Sequence, residues 1–235
     1  MGGILEIGSA VISLAQQRAE LTAQNVANMA TPGYKARRPA AGPVGFAALA
    51  GAADPALVPS MNGDVGKTIS TGGPSDLALT GEGYFVVRSE NQVFYTRNGQ
   101  FQRDGEGRLM LANRYALQMA GGGDLVVKTS LQVTSDGTVL DGGQAVGKLA
   151  VVKAADLRAL TPADGGMFTA PEGAVEELPN PAVLQGFIEA SNVSTGDEMV
   201  ALMEALRRAE TGQRLINLYD DLMGRAITAF GQGAS

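Results

Sequence analysis

The residues of this chain whose types and spacing could do chemistry are few. Gly142-Gly143-Gln144-Ala145-Val146-Gly147-Lys148 follows the phosphate-loop pattern up to its lysine, but Leu149 stands where a Ser or Thr must hold magnesium. The stretch after it, Leu149 to Lys153, reads as a strand, whereas a phosphate loop must open a helix. Gly81-Glu82-Gly83 leads into a strand, the reverse of the dinucleotide-binding turn. The acid pairs Glu176-Glu177 and Asp220-Asp221 could share acid and base roles, but adjacent acids on a loop or an exposed helix face ordinarily serve solvation. Lys35, Arg37 and Arg38 form a basic cluster that either contacts acidic groups on a partner or is a solvated face. Asn192-Val193-Ser194 matches a glycosylation acceptor, a pattern frequent by chance.

Composition closes most remaining routes. The 235 residues include no Cys and no His, which excludes a disulfide framework, a Cys/His zinc site and a Ser-His-Asp or Cys-His unit. No catalytic residue, metal, cofactor or small-molecule substrate is expected. The net charge of −6 argues against nucleic-acid binding. No apolar run reaches the ~18 residues of a membrane span, and the start lacks a basic signal region, so a cytoplasmic address is the first expectation.

The elements that position these residues fall into a helical head, a Gly/Pro-punctuated middle and a helical tail. Ile4, Ile7, Val11, Leu14 and Leu21 lie on one stripe of a helix over residues 3–28, broken by Arg18 and stopped before Pro32. Residues 39–68 read as a Gly/Ala/Pro-rich loop. Short strands follow, at 77–79, 84–88, 92–96, 108–111, 115–118, 125–127, 131–134 and 148–153, separated by Asn-Gly and Asp-Gly turns. They predict an antiparallel β-module, a small barrel or sandwich, over 69–182. In the tail, Thr195 and Glu198 form a capping box. Met199, Leu202, Leu206, Ala209, Ile216, Met223, Ile227 and Phe230 then occupy heptad a and d positions, with Gln213 and Asp220 as polar exceptions.

The fold class is therefore α+β, with N- and C-terminal helices, over 1–38 and 183–235, packed as a coiled-coil-like pair. Residues 1–40 hold four basic and two acidic side chains, and residues 183–235 four basic and seven acidic, which favours head-to-tail association.

Three motifs resemble one known family. Gln24-Asn25-Val26-Ala27-Asn28-Met29-Ala30-Thr31-Pro32-Gly33-Tyr34-Lys35 is similar to the N-terminal motif of the bacterial flagellar basal-body rod and hook proteins. The central motif comprises Gly72-Gly73-Pro74-Ser75-Asp76-Leu77, then Gly81, Gly83, Tyr84 and Phe85, then Tyr95-Thr96-Arg97-Asn98-Gly99-Gln100-Phe101, and resembles the family's β-module. The third, Leu184 to Val193 with Ser191 and Asn192, followed by Asp197-Glu198-Met199, looks like the C-terminal motif. Met29, Ser75 and Asn113 depart from the usual pattern.

The resemblance implies a structural subunit of the proximal rod, with a distal-rod subunit as the alternative, since a hook subunit would be longer and early rod subunits lack the β-module. It further implies export by the flagellar type III path without a cleaved signal, a periplasmic position in the basal body, and assembly through the terminal helices. Like subunits, early rod proteins below, the distal-rod subunit above and the export apparatus in transit are the implied partners. Pro32 and Gly33 would redirect the chain from axial helix to outer module. Two other readings compete: a peptidoglycan-acting enzyme using Glu82 or Asp76, and an export chaperone or binding module with helical ends.

Overall fold

The computed structural model describes residues 3–39, 57, 59–90 and 92–232, the side chains of 230–232 excepted. Most of the 39–68 loop expected from sequence lies outside the described residues. The chain divides into two units: residues 1–26, 37–60 and 194–235 form one, and residues 27–36 and 61–193 the other.

The first unit is built on helices α1 (Gly3–Ala27) and α2 (Thr195–Gln232). They run antiparallel: Gly8 faces Gly212 and Ile216, Ile12 meets Gly212, and Arg18 lies near Glu204 and Arg208. The pairing is close because its deepest positions are small. Gly8, Ala15 and Thr22 are buried at seven-residue intervals on α1, and Ala205 and Gly212 at the same interval on α2. A Cβ on Gly212 would stand 2.7 Å from Ile12 Cγ1 and 3.0 Å from the Gly8 carbonyl oxygen. The helices thus pair as expected, but along a seam of small side chains rather than along the heptad of large ones.

The cap of α2 also differs from the expectation. The Ser194 hydroxyl accepts from the Asp197 N–H (3.4 Å), and its carbonyl from the Glu198 N–H (3.0 Å). Thr195 is already the first helical residue, so Glu198 is one position too deep to close a capping box. It turns inward instead, 1% exposed, with Arg38 Nη1 3.2 Å from its carboxylate.

The second unit carries nearly all the strands. The exceptions are β1 (Arg37–Pro39) and β2 (Pro59–Met61), which pair with each other and, Met61 apart, belong to the first unit; the second holds, in chain order, β3 (Thr68–Ser70), β4 (Leu77–Leu79), β5 (Tyr84–Ser89), β6 (Gln92–Thr96), β7 (Gln102–Arg103), β8 (Leu109–Leu111) and β9 (Tyr115–Leu117). There follow β10 (Leu131–Val133), β11 (Thr138–Asp141), β12 (Gln144–Lys148), β13 (Val151–Ala154), β14 (Thr161–Pro162), β15 (Met167–Thr169), β16 (Val175–Glu177), β17 (Val183–Gln185) and β18 (Phe187–Glu189).

The largest sheet runs β14-β15-β6-β5-β9-β8-β7, with β13 joining β5 and β16 joining β13. β10, β11 and β12 form a separate antiparallel meander. Leu77, Phe85, Val87, Leu117, Leu125, Val127, Val139 and Val151 are wholly excluded from solvent in one apolar core. Residues 125–127, expected as a strand, serve this core as irregular chain: Leu125 N–H donates to Leu117 O and Val127 N–H to Gly107 O.

The β-module is antiparallel, as expected, but it is not a closed barrel. Its path ends at β7, two exposed residues, and at β14, where Pro162 has no N–H to offer a further strand. Residues 183–189, assigned by sequence to the terminal helix, form β17 and β18, paired with β4 and β3. The near phosphate-loop is the β11–β12 hairpin, with Gly142 and Gly143 at positive φ.

Two predictions follow from these contacts. Gly212→Val should destabilise the helix pair by about 1–3 kcal/mol through overpacking, while Gly224→Ala on the same helix, where nothing lies within 4 Å of the new Cβ, should stabilise it by about 0.5–1 kcal/mol. Urea unfolding followed by helical circular dichroism measures both. Asp136 accepts from the Thr134 and Thr138 hydroxyls, and Asp141 from the N–H groups of Lys128, Thr129 and Ser130, so both carboxyls are held below their ordinary range. A depressed folded-state pKa gives stability that is present above roughly pH 4 and lost as pH falls further. The unfolding temperature should therefore fall as the pH drops below about 4, and Asp136→Asn with Asp141→Asn should lessen that fall.

Candidate functional site

The residues that carry the three motifs do not form a catalytic constellation. They meet in a buried ionic node. After α1, Asn28 O accepts from the Thr31 N–H (3.0 Å), Thr31 O from the Tyr34 N–H (3.2 Å), and Pro32 sits between them. Gly33 has φ +67°, and a Cβ there would lie 2.2 Å from the Arg97 carbonyl carbon, so both its conformation and its space demand glycine. The turn delivers Tyr34 and Lys35 into the interior, 3% and 2% exposed.

Lys35 Nζ donates to Glu189 Oε1 (2.7 Å) and to the Asp64 carbonyl (2.7 Å). The other Glu189 oxygen accepts from Arg97 Nη1 (3.2 Å), and Oε1 also takes the Gly66 N–H (2.8 Å). Arg97 donates further to the Leu79 and Gly81 carbonyls, and its guanidinium lies over the Tyr84 ring. Asn192 completes the assembly. Its Oδ1 accepts from the Ala36 N–H (2.6 Å), and its Nδ2 donates to the Asn62 and Asp64 carbonyls. Backbone bonds from Gly33 N–H to Glu189 O and from Asn192 N–H to Tyr34 O run alongside. Burial pushes the Lys35 ammonium pKa down, and Glu189 opposes that shift.

Glu189 and Asp64 were not among the residues singled out from sequence. The signal for Glu189 was present, one acid inside Gly186-Phe187-Ile188-Glu189-Ala190. Its partners, more than ninety residues away, were not readable.

The remaining motif residues support this node or the core. Asp76 accepts from the Thr71 hydroxyl and, through its carbonyl, from the Gly186 N–H; Gly72 N–H donates to Gly186 O, and Pro74 O accepts from Gln185 Nε2. Leu77, Phe85 and Phe101 are core residues, with the two rings edge to face. Tyr95 is half-buried, and burial raises its phenol pKa. Gly83 and Gly99 are hemmed in by Val151 Cγ1 and by the Leu77 carbonyl. Ser191 Oγ accepts from the Val193 N–H. In the helical unit, Asn25 is 1% exposed and exchanges both its amide groups with the backbone of Arg37, at 2.9 and 2.8 Å.

The helix residues divide differently. On α1, Ile4 is exposed and Ile7, Val11, Leu14 and Leu21 are half-buried. On α2, Ile216 packs on Gly8, but Met199 (62%), Leu202 (39%), Leu206 (55%), Met223 (40%) and Ile227 (68%) face outward. Phe230 lies outside the described side chains. The two acids proposed for catalysis are accounted for otherwise: Asp76 by Thr71, and Glu82 by an ion pair with Lys153 that holds its carboxyl below the ordinary range. A general acid needs the opposite shift.

Comparison with known proteins agrees with this arrangement. A family model described as "Flagellar hook protein FlgE/F/G D1 domain" matches residues 78–141, and one described as "Flagellar basal body rod FlgEFG protein C-terminal" matches 184–229. The chain is 27% identical to the flagellar basal-body rod protein FlgF of Caulobacter vibrioides, over 99% of both chains. It is 31% identical to FlgF of Escherichia coli, over 94% of both. The chain belongs to the flagellar basal-body rod protein family. It is also similar to a second branch, being 25% identical to the rod protein FlgG of Bacillus subtilis over 90% of this chain and 93% of that one. In this rod-family chain, the N-terminal, central and C-terminal motifs are thus three sides of one buried cluster.

Removing Glu189 should expose that dependence. Glu189→Ala leaves Lys35 and Arg97 buried against no carboxylate and should cost about 3–5 kcal/mol. Adding Lys35→Met removes one stranded charge and should restore part of the loss. Equilibrium unfolding of the two variants checks this.

Proposed function

We propose that this chain is a structural subunit of the flagellar basal-body rod, of the proximal FlgF type, that polymerises through its terminal helices. The observation carrying the reading is the division of α2 into two faces. One face, with Ala205 and Gly212, is consumed by α1; Met199, Leu202, Met203 and Leu206 stand exposed away from it, and Leu218, Leu222 and Ile227 are exposed further along the helix, towards and beyond the end of the paired stretch. Fully burying one such side chain is worth about 1.5–3 kcal/mol, so a monomer that leaves this many uncovered has a strong drive to associate. Like copies are the first partners, with early rod proteins below and the distal-rod subunit above.

The proximal assignment is supported by similarity to FlgF proteins over nearly the whole chain; the distal FlgG type is the second reading. Export by the type III path, without a cleaved signal, and a periplasmic position belong to the same proposal. No helix among the described residues is long and apolar enough to cross a membrane.

Leu202→Asp with Leu206→Asp tests the assembly role. Both side chains are exposed, so helical circular dichroism of the purified chain should be unchanged, while incorporation into basal bodies should be lost. A double variant that still incorporates overturns the role of this face.

A further inference from the structure

A cavity of about 320 Å³ opens in the β-unit, lined by Tyr84, Arg97, Lys153 and Glu82 on its polar side and by Val65 and Leu157 on its apolar side. The ionic node borders it through Arg97, which is 4% exposed. Lys35 and Arg97 share the single buried carboxylate of Glu189, so the node holds two cations against one buried anion; the other nearby acids, Asp64 and Glu82, are exposed. Among the described residues the Arg97 Nε–H, itself shut off from solvent, has no hydrogen-bond partner, and the Tyr84 hydroxyl makes no hydrogen bond. Lys153 at the rim is ion-paired with Glu82, with Glu176 across from it on β16; the members of the pair are 52% and 74% exposed, so it is weak and exchangeable.

We propose that this cavity is a socket for one carboxylate group. A planar two-oxygen anion matches a guanidinium edge, a phenol O–H can add a third donor, and Lys153 closes over it by exchanging Glu82 for the incoming carboxylate. Val65 and Leu157 give the carbon stem of the ligand an apolar wall. The carboxylate belongs either to a free small organic acid or to an acidic side chain of a second copy of this chain.

Malonate is the probe, titrated into the full chain against sodium chloride at equal ionic strength, with calorimetry and the unfolding temperature as readouts. Saturable binding is expected. Lys153→Met should weaken it about tenfold, the worth of one charge-assisted hydrogen bond, and Glu82→Gln should tighten it by freeing Lys153. Leu157→Trp should fill the cavity and abolish binding. Circular dichroism confirms that each variant is folded. Absence of saturation, or equal malonate responses in the wild type, Lys153→Met and Glu82→Gln, overturns the socket. Given binding, light scattering separates the sources. Malonate that suppresses self-association assigns the socket to an acidic side chain of a second copy; malonate that leaves association unchanged assigns it to a free acid.

Discussion

One carboxylate organises the β-unit of this protein. Glu189 is 1% exposed and accepts hydrogen bonds from Lys35, Arg97 and the Gly66 backbone. A charge so deeply buried is tolerated only when opposite charges and hydrogen bonds replace its water, and here the replacements come from three distant parts of the chain. Each donor is itself held in place. Gly33 lets the chain approach Arg97, Asn192 ties Ala36 to the 62–64 loop, and the Leu79 and Gly81 carbonyls orient the guanidinium. The node therefore specifies one arrangement of segments that apolar packing alone would leave loosely registered.

The helical unit obeys a different constraint. Small residues at seven-residue spacing let two backbones approach, and Gly8 against Gly212 sets the closest point. The large apolar residues of α2 are thereby left out of the intramolecular contact. Ile216 is the exception among the heptad positions, because it reaches across to Gly8. A seam of small side chains buries little apolar area per residue, so the pair retains a large unsatisfied face. That is the physical basis for a subunit completed by its neighbours.

Much of this was legible in the sequence. The period of α1 and α2 gave both helices, with α1 ending within one residue of the expected boundary. Asp-Gly and Asn-Gly dipeptides located most of the central strands, though among Asn98-Gly99, Asp104-Gly105, Asp136-Gly137 and Asp141-Gly142 the glycine takes the positive φ they tolerate only in the last two. The motifs at Thr31-Pro32-Gly33, Arg97 and Asn192 marked the members of the node. What they did together was not legible. A strand such as β18, three residues long with Glu189 inside it, carries no periodic signal, and its partner β3 lies more than a hundred residues earlier.

The sequence by itself determined local geometry and the absence of Cys and His chemistry, since helix period, turn residues and side-chain inventory need no distant partner. Only the tertiary structure decided which apolar face of α2 is spent internally. Period alone favoured the large residues, and close backbone approach selected Ala205 and Gly212 instead. It also decided that the charged motif residues hold one another rather than act on a substrate. Lys35 and Glu189, 154 positions apart, acquire that role only when the fold removes water from both.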